Sequence, residues 1–131
     1  MATITITGID EALARFEKLG AAAEDAFRAA AKAGGELMAE KISAAAPVRT
    51  GGLSKSIKAS SPKHTVGDGF YTEVKPTGSD SHGESYAKIA NIIEYGRKYA
   101  SPQPFFYPTV DSASGEVNAL MAGIVKKELI K

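Results

Sequence analysis

The 131-residue chain contains no cysteine and only two histidines. Without cysteine there are no disulfides, no thiolate metal sites and no thiol catalysis, and the composition fits a reducing compartment. An excess of charge of one sign is also missing. Sixteen Lys and Arg face fifteen Asp and Glu, giving a formal net charge of +1. No net field therefore draws the chain to nucleic acid or to a membrane surface, although a basic face can still exist locally. No apolar stretch approaches the ~20 residues that a membrane span requires. The opening Met1–Gly8 has neither a basic n-region nor a long apolar run, so it is not expected to be a signal peptide, and the product is expected in the cytosol when made.

Catalytic residue types are sparse. His64 and His82 both fall in polar, turn-rich stretches, and neither has the spacing of a helical metal motif. Asp80-Ser81-His82 has the residue types of a hydrolase triad, but adjacent residues in one loop cannot preorganise one another. Gly67-Asp68-Gly69 lacks the strand-to-helix context of a phosphate loop, and the carboxylates are scattered singly. No enzyme, no metal and no cofactor are expected.

What the chain does have is a change of character at Ala44–Ile57. Before it, from Ala21, Phe27, Ala31, Met38, Ile42 and Ala45 recur at three- and four-residue steps, with Gly34 on the same stripe. The adjacent Gly34 and Gly35 cost on the order of 1–2 kcal/mol of helix propensity, which implies either that another backbone packs closely there or that the helix bends. Pro47 stops that helix and pushes Ala46 towards extended geometry. Gly51 and Gly52 can take positive φ and redirect the chain. From Leu53 the pattern predicts a β-hairpin over 53–76, its second strand setting Phe70, Thr72 and Val74 against Tyr71, Glu73 and Lys75.

The alternating Thr3–Thr7, with Ile4 and Ile6 on one face, predicts a further strand. Helices are predicted over 10–46, opened by Asp10 as N-cap and broken near Gly20. A mobile polar loop is expected over 77–85, then a helix over 86–95 closed by Gly96, and a C-terminal helix over 108–131 carrying Val117, Leu120, Met121, Ile124 and Val125. The whole reads as one α+β domain, a small antiparallel sheet packed against a long N-terminal helix and a C-terminal helix.

Two stretches admit more than one role. Arg49, Lys55, Lys58 and Lys63 lie close in sequence and suit either a solvated edge that discourages strand aggregation or contact with a DNA backbone. Lys55 and Lys58 would not share a face on a regular strand. The run Gln103-Pro104-Phe105-Phe106-Tyr107-Pro108 suits core anchoring of the last helix or a subunit interface.

Three segments in order carry a resemblance. Ala46-Pro47-Val48-Arg49-Thr50-Gly51-Gly52-Leu53 with Ser56-Ile57 resembles the "APV-x-TG-x-L-x-x-SI" signature of the small neck and tail-completion proteins of long-tailed bacteriophages, the gene-product-ten-like family. Ile93-Glu94-Tyr95-Gly96, after Tyr86-Ala87, resembles its "VEYG" element, and Gln103–Pro108 its "QPFLRP" element. Tyr107 stands where that element has a basic residue, and the Pro76–Ser85 loop is long for the family. The resemblance implies a non-enzymatic virion protein at the head–tail junction or tail, made in the host cytoplasm. It implies a ring-forming homo-oligomer that joins connector or head-completion proteins to tail-tube proteins, with DNA able to pass through the ring and no membrane partner. A closed ring needs two different patches that meet head to tail. Tyr95, Phe106 and Tyr107 are assigned to one of them, and Ser79, Asp80 and His82 to a loop that orders on assembly.

Overall fold

The structure, a computed structural model, describes residues 2–5, 21–47, 51–64, 70–99 and 101–130. The helix expected over 10–20, the Val48-Arg49-Thr50 step and the loop tip at 65–69 lie outside these residues.

The long helix α1 (Ala21–Ala45) is the middle layer. Its buried positions run in adjacent pairs four residues apart, Ala26 and Phe27, Ala30 and Ala31, Gly34 and Gly35, Met38 and Ala39, followed by Ile42 alone and by Ala46 just beyond the helix. Such pairing buries two neighbouring faces of one helix. One face meets the sheet, the other the C-terminal helix. Ala45 is exposed and Ala46 takes its place in the core, because the chain leaves the helix there.

The two glycines divide between these layers. A Cβ on Gly34 would lie 2.6 Å from Met121 Sδ on the C-terminal helix, whereas one on Gly35 would collide with the Thr72 side chain of the sheet. The price of two poor helix formers is thus a close approach on both sides. Thr72, fully buried, uses that approach to donate its hydroxyl to the Ala31 carbonyl at 3.0 Å.

The chain does not go straight from Pro47 into a strand. Residues Gly52–Ser56 form a helical turn, α2, and the strand expected from Leu53 begins only at Ile57. Leu53 and Ile57, four apart and both buried, satisfy a helical step as well as an alternating one. Gly51 at φ 78° opens the turn, and Lys55 N–H donates to its carbonyl at 3.1 Å. Gly52 needs no positive φ; its missing side chain makes room for the Tyr86 hydroxyl. Ser43 and Ser54 each donate a hydroxyl to the other's carbonyl, at 2.8 and 2.9 Å, locking the turn to the end of α1.

The sheet is centred on β4 (Phe70–Pro76). On one side β1 (Ala2–Thr5) pairs antiparallel with it, Ala2 opposite Val74 and Thr5 opposite Tyr71. On the other side run β2 (Ile57–Ala59) and β3 (Lys63–His64) in series. Phe70, Thr72 and Val74 point into the core, and Tyr71, Glu73 and Lys75 point outward.

The β2–β3 edge holds one extra residue. Lys58 lies opposite Lys75 and Ala59 opposite Val74, and Ser60 continues the ladder by donating N–H to the Glu73 carbonyl at 2.8 Å while its hydroxyl accepts the Glu73 N–H at 3.0 Å. Lys63 then lies opposite Tyr71, three residues on from Ser60 but only two from Glu73. That mismatch is a β-bulge. Pro62 sits within it, where a missing N–H removes no ladder bond.

Helix α3 (Tyr86–Tyr95) starts at Ser85, whose hydroxyl accepts the Lys88 N–H at 3.1 Å. Helix α4 (Phe106–Ile130) packs antiparallel to α1, with Gly34 against Met121 and a 3.0 Å ion pair from Lys41 to Glu116. It buries Ala113, Val117, Met121 and Val125 at four-residue steps, and Leu120, expected on that face, points outward. No helix among the described residues is long and apolar enough to cross a membrane.

The two glycines predict opposite responses to alanine. Gly34→Ala gains up to ~1 kcal/mol of helix propensity, and the flexible Met121 thioether can swing aside. Gly35→Ala drives a methyl into a β-branched side chain on the central strand, and overpacking of that kind costs about 1–3 kcal/mol. Urea denaturation should place Gly34→Ala near the parent protein and Gly35→Ala well below it. Equal losses at both positions would contradict this assignment of faces.

Candidate assembly interface

The link between α3 and α4 is built around one carboxylate. Glu94 lies on the last turn of α3 and is only 4% exposed. Its Oε1 accepts the backbone N–H groups of Phe105 and Phe106 at 2.9 and 2.8 Å, and its Oε2 accepts that of Tyr107 at 3.2 Å. A helix begins with four N–H groups that have no partner within it. Here three go to Glu94, and the fourth position is Pro108, which has no N–H. The negative carboxylate also meets the positive end of the α4 dipole. Among the described residues no cation pairs with Glu94, so the peptide N–H groups compensate its charge.

Main-chain bonds also tie Gly96 and Gln103 back to α3. Gly96, at φ 76°, returns its N–H to the Ile92 carbonyl at 2.8 Å, and Gln103 donates to the Ile93 carbonyl at 2.7 Å. These bonds present a chain of aromatic rings running from core to surface. Phe105 and Phe106 meet edge-on at 6.1 Å, Phe106 lies 5.6 Å from Tyr107, and Tyr107 lies 6.4 Å from Tyr95. Tyr95 is 62% exposed, Tyr107 38% and Tyr99 89%, with the Lys98 ammonium 5.3 Å from the Tyr99 ring centre.

The assigned interface residues therefore divide. Tyr95 and Tyr107 lie side by side on the surface. Phe106, placed with them from the sequence, has 0% exposure and belongs to the core, because as the first residue of α4 it turns inward with Phe105 to join the buried cluster. It supports Tyr107 from beneath and presents no surface of its own. The Tyr95 phenol is held above its ordinary pKa by desolvation, then by hydrogen bonding to Tyr107 and the charges of Tyr107 and Glu94. Desolvation is shallow for so exposed a ring, and the hydroxyl stays protonated around neutral pH.

The 77–85 segment has a defined shape. Asp80 Oδ1 accepts the backbone N–H groups of His82 and Glu84, both at 2.9 Å, while Asp80 N–H donates to the Glu84 carbonyl at 2.8 Å. Ser79 and Ser85 form a β-bridge, and Gly78 and Gly83 take φ of 73° and 83°. Asp80 thus receives the main chain of His82, so Asp80-Ser81-His82 is a turn in which the imidazole is exposed. An open groove of about 560 Å3 runs beside it, with Pro47, Ile89, Ile92 and Ile93 among its lining and Asp80 and Arg97 at its rim. Among the described residues no hydrogen bond or ring contact joins Ser79, Asp80 or His82 to Tyr95 or Tyr107. The structure gives two separate surface features here, the tyrosine pair and the loop with its groove.

Of the basic residues, Lys55 lies on α2, Lys58 and Lys63 lie on the sheet, and Arg49 is outside the described residues. Sequence reasoning missed Glu94 as the organising group. Its signal was present, a lone carboxylate on the apolar stripe of α3, but nothing local marks the three N–H groups it serves eleven to thirteen residues on.

A family model described as "Bacteriophage HK97-gp10, putative tail-component" matches residues 10–96. That is well over half of the chain, and the chain belongs to this family of bacteriophage tail components. The match includes the Ala46–Ile57 and Ile93–Gly96 motifs and stops before the Gln103–Pro108 run. No curated protein and no solved structure matches the chain.

Removing the carboxylate should expose its role. Glu94→Ala leaves three N–H groups without an acceptor, those of Phe105 and Phe106 buried and that of Tyr107 half-buried, and hydrogen bonds to a charged group contribute about 1.5–3 kcal/mol each. A loss of at least ~3 kcal/mol is expected in chemical denaturation. Glu94→Gln keeps one acceptor oxygen and should lose roughly half as much. Wild-type stability in Glu94→Ala would remove the cap from the account of this fold.

Proposed function

We propose that the protein is a non-enzymatic structural part of the phage virion, acting at the head–tail junction in a neck, tail-completion or tail-terminator role. It works by assembling with copies of itself, as a ring, and by joining connector or head-completion proteins to tail-tube proteins. It is made in the host cytoplasm and ends in the virion.

The observation that carries this reading is the rigid, exposed pair Tyr95 and Tyr107. Large aromatic side chains with few rotatable bonds dominate protein interfaces, since they bury much area at little entropic cost. Here the Glu94 carboxylate accepts the Tyr107 N–H, and Tyr95 is the next residue to Glu94 on α3, so the pair is preorganised before any partner arrives. The 77–85 loop, held by Asp80, supplies a second surface of different chemistry, as a heterologous contact requires.

Light scattering across a concentration series tests the proposal. The parent protein should form a discrete multi-subunit species, alone or on mixing with connector and tail-tube proteins. The Tyr95→Ala, Tyr107→Ala double variant should keep its circular dichroism and melting behaviour while losing that species. Phe106→Ala should instead lose about 3–5 kcal/mol of stability, as expected for a fully buried ring. Intact assembly in the tyrosine double variant would defeat this interface assignment.

A further inference from the structure

The outward face of the sheet carries a cluster of lysines that strict alternation would have dispersed. Lys58 and Lys75 lie directly opposite each other across β2 and β4. Like charges in that position destabilise a sheet. Lys63 is five residues from Lys58, an odd number, and on a continuous strand it would point into the core. The bulge at Ser60–Pro62 shifts the register by one and sets Lys63 opposite Tyr71, on the same outward face as Lys58, Tyr71 and Lys75. Ser60 fixes the bulge through both its backbone N–H and its hydroxyl. A bulge that re-aims one side chain is a designed feature of a strand.

Among the described residues the one carboxylate on this face is Glu73, which lies 3.7 Å from the Lys75 ammonium and 4.0 Å from that of Lys63. One anion thus serves two cations, and Lys58 has no carboxylate partner among the described residues. We propose that this face binds the phosphate backbone of duplex DNA.

The chemistry favours a polyanion over a protein surface. Among the described residues this face offers no aromatic or aliphatic anchor apart from Tyr71, and lysine is depleted where protein interfaces bury their core. Lysine acts on phosphate as a mobile point charge on a long stem. Lys58 and Lys75 form one end of the cluster and Lys63 the other, four residues along β4. Their long stems nevertheless bring the Lys63 and Lys75 ammoniums to the same Glu73 oxygen, 4.0 and 3.7 Å away, so the positive charge is concentrated on one small patch. A duplex, with one phosphate charge per about 1.7 Å of its axis, offers the dense anionic surface that such a patch can neutralise. No base-reading group lies among them, so the binding is independent of sequence. The surface is distinct from the tyrosine pair and does not depend on assembly.

The test is fluorescence anisotropy with a mixed-sequence duplex of about two helical turns, titrated with the full-length protein from low salt upward. Wild type should bind, with affinity falling as salt rises along a log–log slope of about −2 to −3, one unit for each lysine engaged. The Lys58→Gln, Lys63→Gln, Lys75→Gln variant should keep its circular dichroism and lose both the binding and the slope. Glu73→Gln should bind several-fold more tightly, because it frees the Lys63 and Lys75 ammoniums from the carboxylate they share. The Tyr95→Ala, Tyr107→Ala variant should retain the slope, so a failure of assembly and a failure of this proposal are read separately. Absence of wild-type binding at low salt, an unchanged triple variant, or tighter binding to polyglutamate than to duplex would each overturn it.

Discussion

One buried carboxylate decides how the C-terminal half of this protein is built. Glu94 ends one helix and supplies the acceptors for the start of the next, so α3 and α4 cannot move independently. A charge so poorly hydrated is tolerable only because three peptide N–H groups and the positive end of a helix surround it. The same geometry forces Phe105 and Phe106 inward and leaves Tyr107 beside Tyr95 at the surface. The motif Ile93–Gly96 and the aromatic-proline run that follows are therefore two halves of one device. In this chain that device sets Tyr95 and Tyr107 on a frame held by its own hydrogen bonds.

The rest of the core answers a different constraint, the need to sandwich α1 between a sheet and a helix. Alanine and glycine dominate its buried faces because both neighbours approach closely. Gly34 yields to Met121 and Gly35 to Thr72. The sequence offered two explanations for the glycine pair, close packing or a bend. The packing explanation holds, with side chains of two different layers rather than another backbone filling the space. Where the approach is closest, a hydroxyl of the sheet bonds to the helix backbone, so the layers are joined by a directed interaction as well as by burial.

Legibility varied with the range of the interaction. The α+β class, the long Ala21–Ala45 helix and the inward set Phe70, Thr72 and Val74 follow from periodicity, which a single element carries by itself. Leu53 and Ile57 misled because a four-residue spacing fits both periods, and the reciprocal Ser43–Ser54 bonds that favour a helical turn join residues eleven apart. Phe106 misled for a related reason. Adjacent aromatics in a proline-rich run can each face either way, and the direction is set by where α4 starts, which Glu94 fixes.

Composition and local pattern by themselves determined the α+β class, the long helix and the inward face of β4, because hydrophobic periodicity and the conformational limits of proline and glycine act within a few residues. Only the tertiary structure decided which groups complete one another across the chain. It made Glu94 the cap of a helix that begins a dozen residues later. It also placed an extra residue in the β2–β3 edge, since a register mismatch exists only between two strands and neither strand contains it. That mismatch turned Lys63 to the outer face, against the alternation written in the sequence.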